Sequence, residues 1–184
     1  EYDLPAVGED DISWADWEVR GFTGLELWNG FSELKSVARN MTSLVRYAFF
    51  PQLIPHGPLP QTLAKWDELL AAGNKVVAVA GSDAHALDYR AGPIRKTIFP
   101  YAYHFSTINN HLLVNRELTG DIDADKSMIY QALSSGASFI GFDLAAPTRG
   151  FSFTAENETD MVSLGDTLTL ERGATLRAQL PHHA

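Results

Sequence analysis

The sequence predicts an α/β fold with a parallel sheet, followed by a smaller β-rich segment. The predicted elements of the first half run strand, helix, loop, helix, strand, which is the order found in parallel α/β proteins. Residues 75–80, KVVAVA, form a continuous apolar run rich in valine, which is typical of a strand buried on both faces. From Gly150 onward, short alternating segments between turn residues predict antiparallel strands.

The first predicted strand covers residues 24–28 and ends at the turn signal Asn29-Gly30. A helix is predicted over residues 31–50, with Ser32 as its N-cap. A second, amphipathic helix is predicted over residues 62–72, and the glycine at position 73 is the residue type expected just past a helix end.

In the second half, Gly92-Pro93 opens a separate segment that ends at Pro100 and leads into an aromatic cluster at residues 101–105. Residues 123–136 predict a helix and residues 138–142 a strand. The alternating segments predict three further strands, at residues 151–154, 167–170 and 175–180.

Composition narrows the classes of function. The net charge is −9 and no cysteine is present, so we expect no nucleic-acid partner, no disulfide and no thiolate metal ligand. No apolar run reaches the roughly 18 residues that cross a bilayer, and no targeting segment is visible, so we expect a soluble protein. The sequence does not predict its cellular compartment. Neither end of the sequence begins or ends an element cleanly, and we expect a piece of a longer protein.

Two side chains follow the valine-rich strand at the point where it ends. Asp83 and His85 lie in the stretch GSDAH, and ligands of parallel α/β proteins bind beyond the carboxyl ends of the strands. If the chain is still extended there, residues two apart point to the same side. A carboxylate and an imidazole suit zinc, manganese or iron. The alternative is that Asp83 caps the following turn and His85 is an ordinary polar residue.

The GSDAH stretch after a valine strand resembles the last metal motif of the PHP domain, the polymerase and histidinol phosphatase family of metal-dependent phosphoesterases. GLELWN at residues 24–29 resembles a preceding strand of that family. Residues 58–86 are similar to a subgroup that carries a C-terminal extension and includes carbaryl-hydrolase-like proteins. The regions around Phe99, Gly136 and Arg149 fit the same subgroup, so the resemblance covers most of the chain.

The resemblance implies the second part of a distorted (β/α)7 barrel over residues 1–112 and an α+β extension over residues 113–184. It implies up to three divalent metal ions that activate water against a phosphoester, carbamate or amide bond. Asp83 and His85 match metal ligands of the family. Four other residues are expected to line the pocket or support the ligands, namely Glu26, Asn29, Ser82 and His56.

The family's opening His-x-His motif and its further ligands do not occur in these residues. A catalytic metal usually has three protein ligands. Two hypotheses therefore stand: part of a metal-dependent hydrolase whose other ligands lie elsewhere, or a non-catalytic binding or structural module derived from such a barrel. No catalytic residue is assigned. An incomplete barrel would expose strand edges, so we expect such a piece to form a homo-oligomer.

Arginine and histidine residues supply weaker candidates. Arg90 and Arg95 follow the motif closely and are the nearest cations for an anionic small-molecule substrate, although each could equally form a surface ion pair. His104 and His111 have aromatic and apolar neighbours, which favour packing roles. His182 and His183 are expected to be tail residues.

Overall fold

A computed structural model describes residues 14–54, 57–170 and 172–181 of the chain. The fold is mixed α/β, as predicted, but the strands of the described residues form four small sheets and no closed barrel. No helix in these ranges has both the length and the apolar character to cross a membrane. The elements of the first half are β1 (Gly24–Asn29), α1 (Gly30–Val37), α2 (Met41–Phe49), a 3-10 turn (Pro51–Leu53), α3 (Pro60–Ala71) and β2 (Val77–Gly81).

The second half contains the remaining strands and two helices. They are β3 (Leu87–Ala91), β4 (Ile94–Ile98), α4 (Tyr101–Thr107), β5 (Ile108–Leu112), α5 (Ile122–Ser135), β6 (Ser138–Phe142), β7 (Ser152–Glu156), β8 (Met161–Ser163) and β9 (Thr175–Gln179).

The predicted parallel pairing is confirmed for β1 and β2. Gly24 lies opposite Val77 and Asn29 lies opposite Gly81, with a register shift between Glu26 and Trp28. Because the strands are parallel, their carboxyl ends lie at the same edge of the sheet. The antiparallel pair β5–β6 lies beside β2 and joins it through the side chain of Asn110.

The helix predicted over residues 31–50 is two helices, α1 and α2. Asn40 begins α2 with a capping box, in which its side chain accepts from Ser43 N and the Ser43 hydroxyl accepts from Asn40 N. The predicted N-cap Ser32 is also wrong. Asn29 caps α1 instead, since its Oδ1 accepts from Phe31 N and Ser32 N, and Ser32 is buried in the first turn.

A hydrophobic core lies where α1 meets the segment after β4. Its buried members are Leu34, Ala38, Ile54 and Phe99. In the aromatic cluster, Tyr103 packs against this core, whereas Tyr101 and Phe105 are exposed and stack on each other with ring centroids 6.0 Å apart. The cluster therefore forms helix α4, with one face turned inward and one outward.

The predicted helix and strand at residues 123–142 are confirmed as α5 and β6, and Gly136 ends α5 in the left-handed conformation with a φ of 80°. The C-terminal sheet has the order β8-β7-β9. The strand predicted at residues 167–170 is wrong: these residues form no strand, and the two partners of β7 are β8 and β9. Its Thr169 carbonyl instead accepts from the Asn157 side chain at 3.1 Å.

Candidate functional site

Asp83 and His85 lie beyond the carboxyl end of β2, but the chain between them is not extended. Asp83 has a φ of 47°, in the left-handed region, which aspartate tolerates better than most residues. The backbone therefore turns at Asp83, and the condition of an extended chain is not met. The turn still brings the side chains together, with His85 Nδ1 at 3.6 Å from Asp83 Oδ1.

The His85 ring is held in one tautomer by the backbone. Its Nδ1 lies 2.6 Å from the carbonyl oxygen of Asp83, and a carbonyl oxygen can only accept a hydrogen bond. Nδ1 therefore carries the proton, and in the neutral ring Nε2 keeps its lone pair. A bond from one ring nitrogen to a backbone carbonyl is the usual support of a histidine that binds metal through the other nitrogen. The Phe31 ring packs beside His85, with centroids 5.2 Å apart.

Asn29 connects the ends of the two parallel strands. Its Nδ2 donates to Glu26 Oε2 at 3.2 Å and to Asp83 Oδ2 at 3.4 Å, while its Oδ1 caps α1. Two carboxylates thus meet one amide group. Glu26, Asn29 and Asp83 come together because β1 and β2 pair in parallel, although 54 residues separate Asn29 from Asp83.

Gly81 makes room for this arrangement. A Cβ at this position would collide with Glu26 Oε1, so only glycine leaves space for the Glu26 carboxylate in its observed place. Ser82 follows and packs against the start of α1, since its carbonyl oxygen would lie 3.2 Å from a Cβ built on Gly30. The loop that carries Asp83 is therefore fitted closely to the first turn of α1.

His104 on α4 also lies at this site, although its neighbours in the sequence favour packing alone. The residue is buried, with 4 % exposure, and packs against Phe99. Burial lowers the pKa of His104, and so does the nearby imidazole of His85, whereas backbone groups of His85 and Ser82 and the charge of Asp83 act to raise it. Its Nε2 is buried and has no hydrogen-bond partner. No spacing in the sequence connects position 104 to positions 83 and 85, so only the tertiary structure reveals this neighbour.

Asp83 and His85 carry the kinds of ligand atoms that bind divalent cations. Asp83 and His85 have side chains that are 36 % and 53 % exposed, so both are accessible to a ligand. The carboxylate and the Nε2 lone pair are donors that zinc, manganese and iron accept. Within the described ranges, however, no three histidine, aspartate or glutamate side chains are grouped closely enough to hold a metal ion.

The other predicted candidates are spread over the chain. Arg90 and Arg95 lie on the hairpin β3–β4, which follows the Asp83 loop directly. His56, His182 and His183 lie outside the described residues.

His111 belongs to a second polar cluster. Asp143 Oδ2 accepts from His111 Nε2 at 2.8 Å and from Asn109 Nδ2 at 2.9 Å, and Asp143 Oδ1 accepts from the Thr148 hydroxyl at 2.6 Å. Burial acts to raise the pKa of Asp143, but these bonds and one from Thr148 N hold it well below its usual range.

This second cluster differs from a nucleophile–histidine–acid triad. The Thr148 hydroxyl lies 2.9 Å from His111 Nε2, the same nitrogen that contacts Asp143. A triad needs the two ring nitrogens to serve different partners. We therefore interpret the cluster as a structural connection between β5, β6 and the loop that follows β6.

Comparisons of the chain with protein-family models, with curated proteins and with solved structures found no match.

Proposed function

We propose that the chain contributes Asp83 and His85 to a divalent metal site of a hydrolase of the PHP class. The observation that carries the proposal is the pair of accessible ligand side chains, Asp83 and His85, beyond the carboxyl end of β2. The bond from His85 Nδ1 to the Asp83 carbonyl leaves the lone pair of Nε2 available to a metal ion. The resemblance of GSDAH and GLELWN to PHP motifs supports the same assignment.

A bound zinc, manganese or iron ion would supply the acidity that turns water into hydroxide near neutral pH. The residues of this chain would bind the ion and orient its ligands. Asp83 offers a carboxylate, and the Asp83 carbonyl orients the His85 ring through Nδ1. Asn29 positions the Asp83 and Glu26 carboxylates. We propose a small phosphoester as the substrate, with a carbamate or amide as the alternative.

A non-catalytic binding module is the second candidate. It is favoured by the absence, in the part of the chain that the structure describes, of a third ligand grouped with Asp83 and His85. A site with two protein ligands binds metal weakly and lacks the usual catalytic set of three. The two candidates differ in whether metal binding is followed by turnover.

Zinc and manganese titrations of the 184-residue chain by calorimetry test the proposal, with cobalt absorption spectra as a second readout. We expect binding that the double variant Asp83→Ala, His85→Ala abolishes and that the exposed control Asp67→Ala leaves unchanged. Equal binding by the double variant would overturn the ligand assignment. Hydrolysis of p-nitrophenyl phosphate by the metal-loaded chain favours the enzyme, and metal binding without hydrolysis favours the binding module.

A further inference from the structure

The hairpin after the candidate site places two arginines directly opposite each other. Gly92 has a φ of 60°, which the first central position of a two-residue type II′ turn requires. This turn sets the register in which Arg90 faces Arg95. Directly opposite residues share one face of the ladder, with Cβ atoms about 4.5–5.5 Å apart. Both arginines are exposed.

The described part of the chain does not neutralise this pair. No carboxylate there forms an ion pair with Arg90 or Arg95. Asp88 lies on the same face and accepts a hydrogen bond from the Thr97 hydroxyl at 2.9 Å, and among these described residues it forms no ion pair with either arginine. Like charges directly opposite each other destabilise a β ladder. The hairpin therefore carries a repulsion that a bound anion would relieve.

The opposite face of the hairpin contacts α2. Lys96 Nζ lies 4.0 Å from the centroid of the Phe49 ring, which is a cation–π contact. Because neighbouring residues of a strand point to opposite faces, the Arg95 side chain points away from this contact. The arginine face is thus open to solvent and borders a shallow depression of about 170 Å³, which is lined by Asp88, Arg90, Arg95, Lys96 and Thr97.

We propose that Arg90 and Arg95 bind one phosphate group between them. Two guanidinium groups present several N–H donors in a geometry that matches phosphate oxygens. A phosphate monoester is close to a dianion at neutral pH, since its second pKa is about 6, and its charge balances the two arginines. The chain as a whole has a net charge of −9, so an anionic ligand needs such a local pair of cations.

This anion site is independent of the proposed metal site, because it requires only the hairpin. Arg90 lies five residues beyond His85, a span of at most about 18 Å for an extended chain. A phosphate held here would therefore lie within about 18 Å of the Asp83 loop, measured along the chain.

Phosphate titration of the full 184-residue chain at low ionic strength tests the proposal. The chain is freed of metal by a chelating resin, since a soluble chelator is itself an anion that could compete. The probe is inorganic phosphate, followed by calorimetry and by NMR shifts of the arginine Nε–H groups. We expect Arg90→Gln and Arg95→Gln each to weaken binding about tenfold, as loss of a charged hydrogen-bond donor predicts.

Three controls make the outcome decisive. Arg39→Gln removes the same charge from an exposed arginine elsewhere and should bind phosphate like the unaltered chain. The double variant Asp83→Ala, His85→Ala should also bind phosphate normally. That result would show that phosphate binding does not depend on the proposed metal ligands. Without phosphate, Arg90→Gln should unfold at a temperature no lower than the unaltered chain. Binding that Arg90→Gln and Arg95→Gln leave intact, or acetate binding as tight as phosphate binding, would overturn the proposal.

Discussion

The side chain of Asn110 bonds to the backbone of Ala80 in the way that a neighbouring strand would. Asn110 Oδ1 accepts from Ala80 N at 2.9 Å, and Asn110 Nδ2 donates to Ala80 O at 2.7 Å. Both backbone groups of Ala80 on the outer side of β2 are thereby paired with one amide group. This contact attaches the antiparallel pair β5–β6 to the parallel pair β1–β2 at the strand that leads to Asp83.

Replacing Asn110 by alanine should therefore destabilise the protein by about 1–2 kcal/mol, because two hydrogen bonds are lost near the surface. Asn110→Asp should cost more than Asn110→Ala, since it sets a negative charge against the Ala80 carbonyl. Urea unfolding followed by circular dichroism measures both. Asn115→Ala, at an exposed asparagine, is the control and should change the free energy of unfolding little. Equal stability of Asn110→Ala and Asn115→Ala would contradict the role given to Asn110.

Thr148→Val tests the polar connection around Asp143. The change keeps the shape of the side chain but removes the hydroxyl that donates to Asp143 Oδ1 and contacts His111. We expect a loss of about 1.5–3 kcal/mol in the free energy of unfolding, the range for hydrogen bonds to charged groups. Thr167→Val, at an exposed threonine, should cost much less in the same denaturant titration. A Thr148→Val variant as stable as the control would show that the connection contributes nothing.

Asp125 should make the protein sensitive to acid. Its carboxylate accepts from Thr119 N, from Arg116 Nη1 and from Gly120 N, and these bonds lower its pKa to about 2. An unfolded aspartate titrates near about 3.9, so the folded state gains stability from the ionised form above that pH. The free energy of unfolding should fall as the pH drops from about 5 towards about 2.

Asp125→Asn should make that pH dependence shallower, because the group that titrates is gone. Asp123→Asn, at an exposed aspartate in the first turn of α5, serves as the control and should keep the slope of the unaltered chain. Denaturant titrations at several pH values between these limits provide the measurement. The same slope in all three proteins would contradict the assignment to Asp125.

Gly165 packs against the chain between α5 and β6. It has a φ of 90°, and a Cβ on it would lie 2.6 Å from Ala137 N. Gly150 has a similar φ of 99° but no atom within 4 Å of such a Cβ. Gly150→Ala should cost about 1–2 kcal/mol from its backbone conformation alone. Gly165→Ala should cost a further roughly 1–3 kcal/mol from overpacking.

The difference between these two glycine variants isolates the contact of Gly165 with Ala137, since the backbone term is common to both. Thermal unfolding by calorimetry gives the comparison. If Gly165→Ala costs no more than Gly150→Ala, the C-terminal segment does not pack on Ala137 as described.

His104→Phe tests the unpartnered imidazole nitrogen. Replacing an unsatisfied buried polar group by an apolar group of similar shape is close to neutral or stabilising. We expect the metal-free variant to unfold at the same urea concentration as the unaltered chain or a higher one. His111→Phe is the contrasting variant, since its Nε2 has partners in Asp143 and Thr148, and it should lose stability. A clear loss with His104→Phe would contradict this expectation and would mean that the interactions of the ring with the backbone of His85 and Ser82 outweigh the cost of the unpartnered nitrogen.

Local patterns in the sequence predicted several elements well. The strand at residues 138–142 and the helix before it follow from apolar periodicity and from Gly136, which are properties of neighbouring residues. The break between α1 and α2 was missed, although Asn40 and Ser43 together carry a capping signal. That break depends on side chains bonding to backbone, which a hydrophobic pattern does not contain.

The candidate site was only partly predictable for a related reason. The positions of Asp83 and His85 past the end of a strand follow from the sequence, although only Val77 of β2 is buried and the other four residues are half-buried. The approach of Glu26 and Asn29 to Asp83 needs the parallel pairing of two distant strands. The position of His104 depends on how α4 packs against the Asp83 loop. Such distant contacts are set by the whole fold, and a single sequence gives no direct signal of them.

Asn29 gives the site an optical reporter. The side chain that joins Glu26 to Asp83 also holds the first turn of α1, and the indole of the adjacent Trp28 donates to Glu33 in that turn at 2.8 Å. A ligand that pulls Asp83 away from Asn29 therefore loosens the start of α1 and changes the surroundings of the indole. Because the chain has four tryptophans, filling of the site should change their summed intrinsic fluorescence, and Trp28→Phe should remove that change.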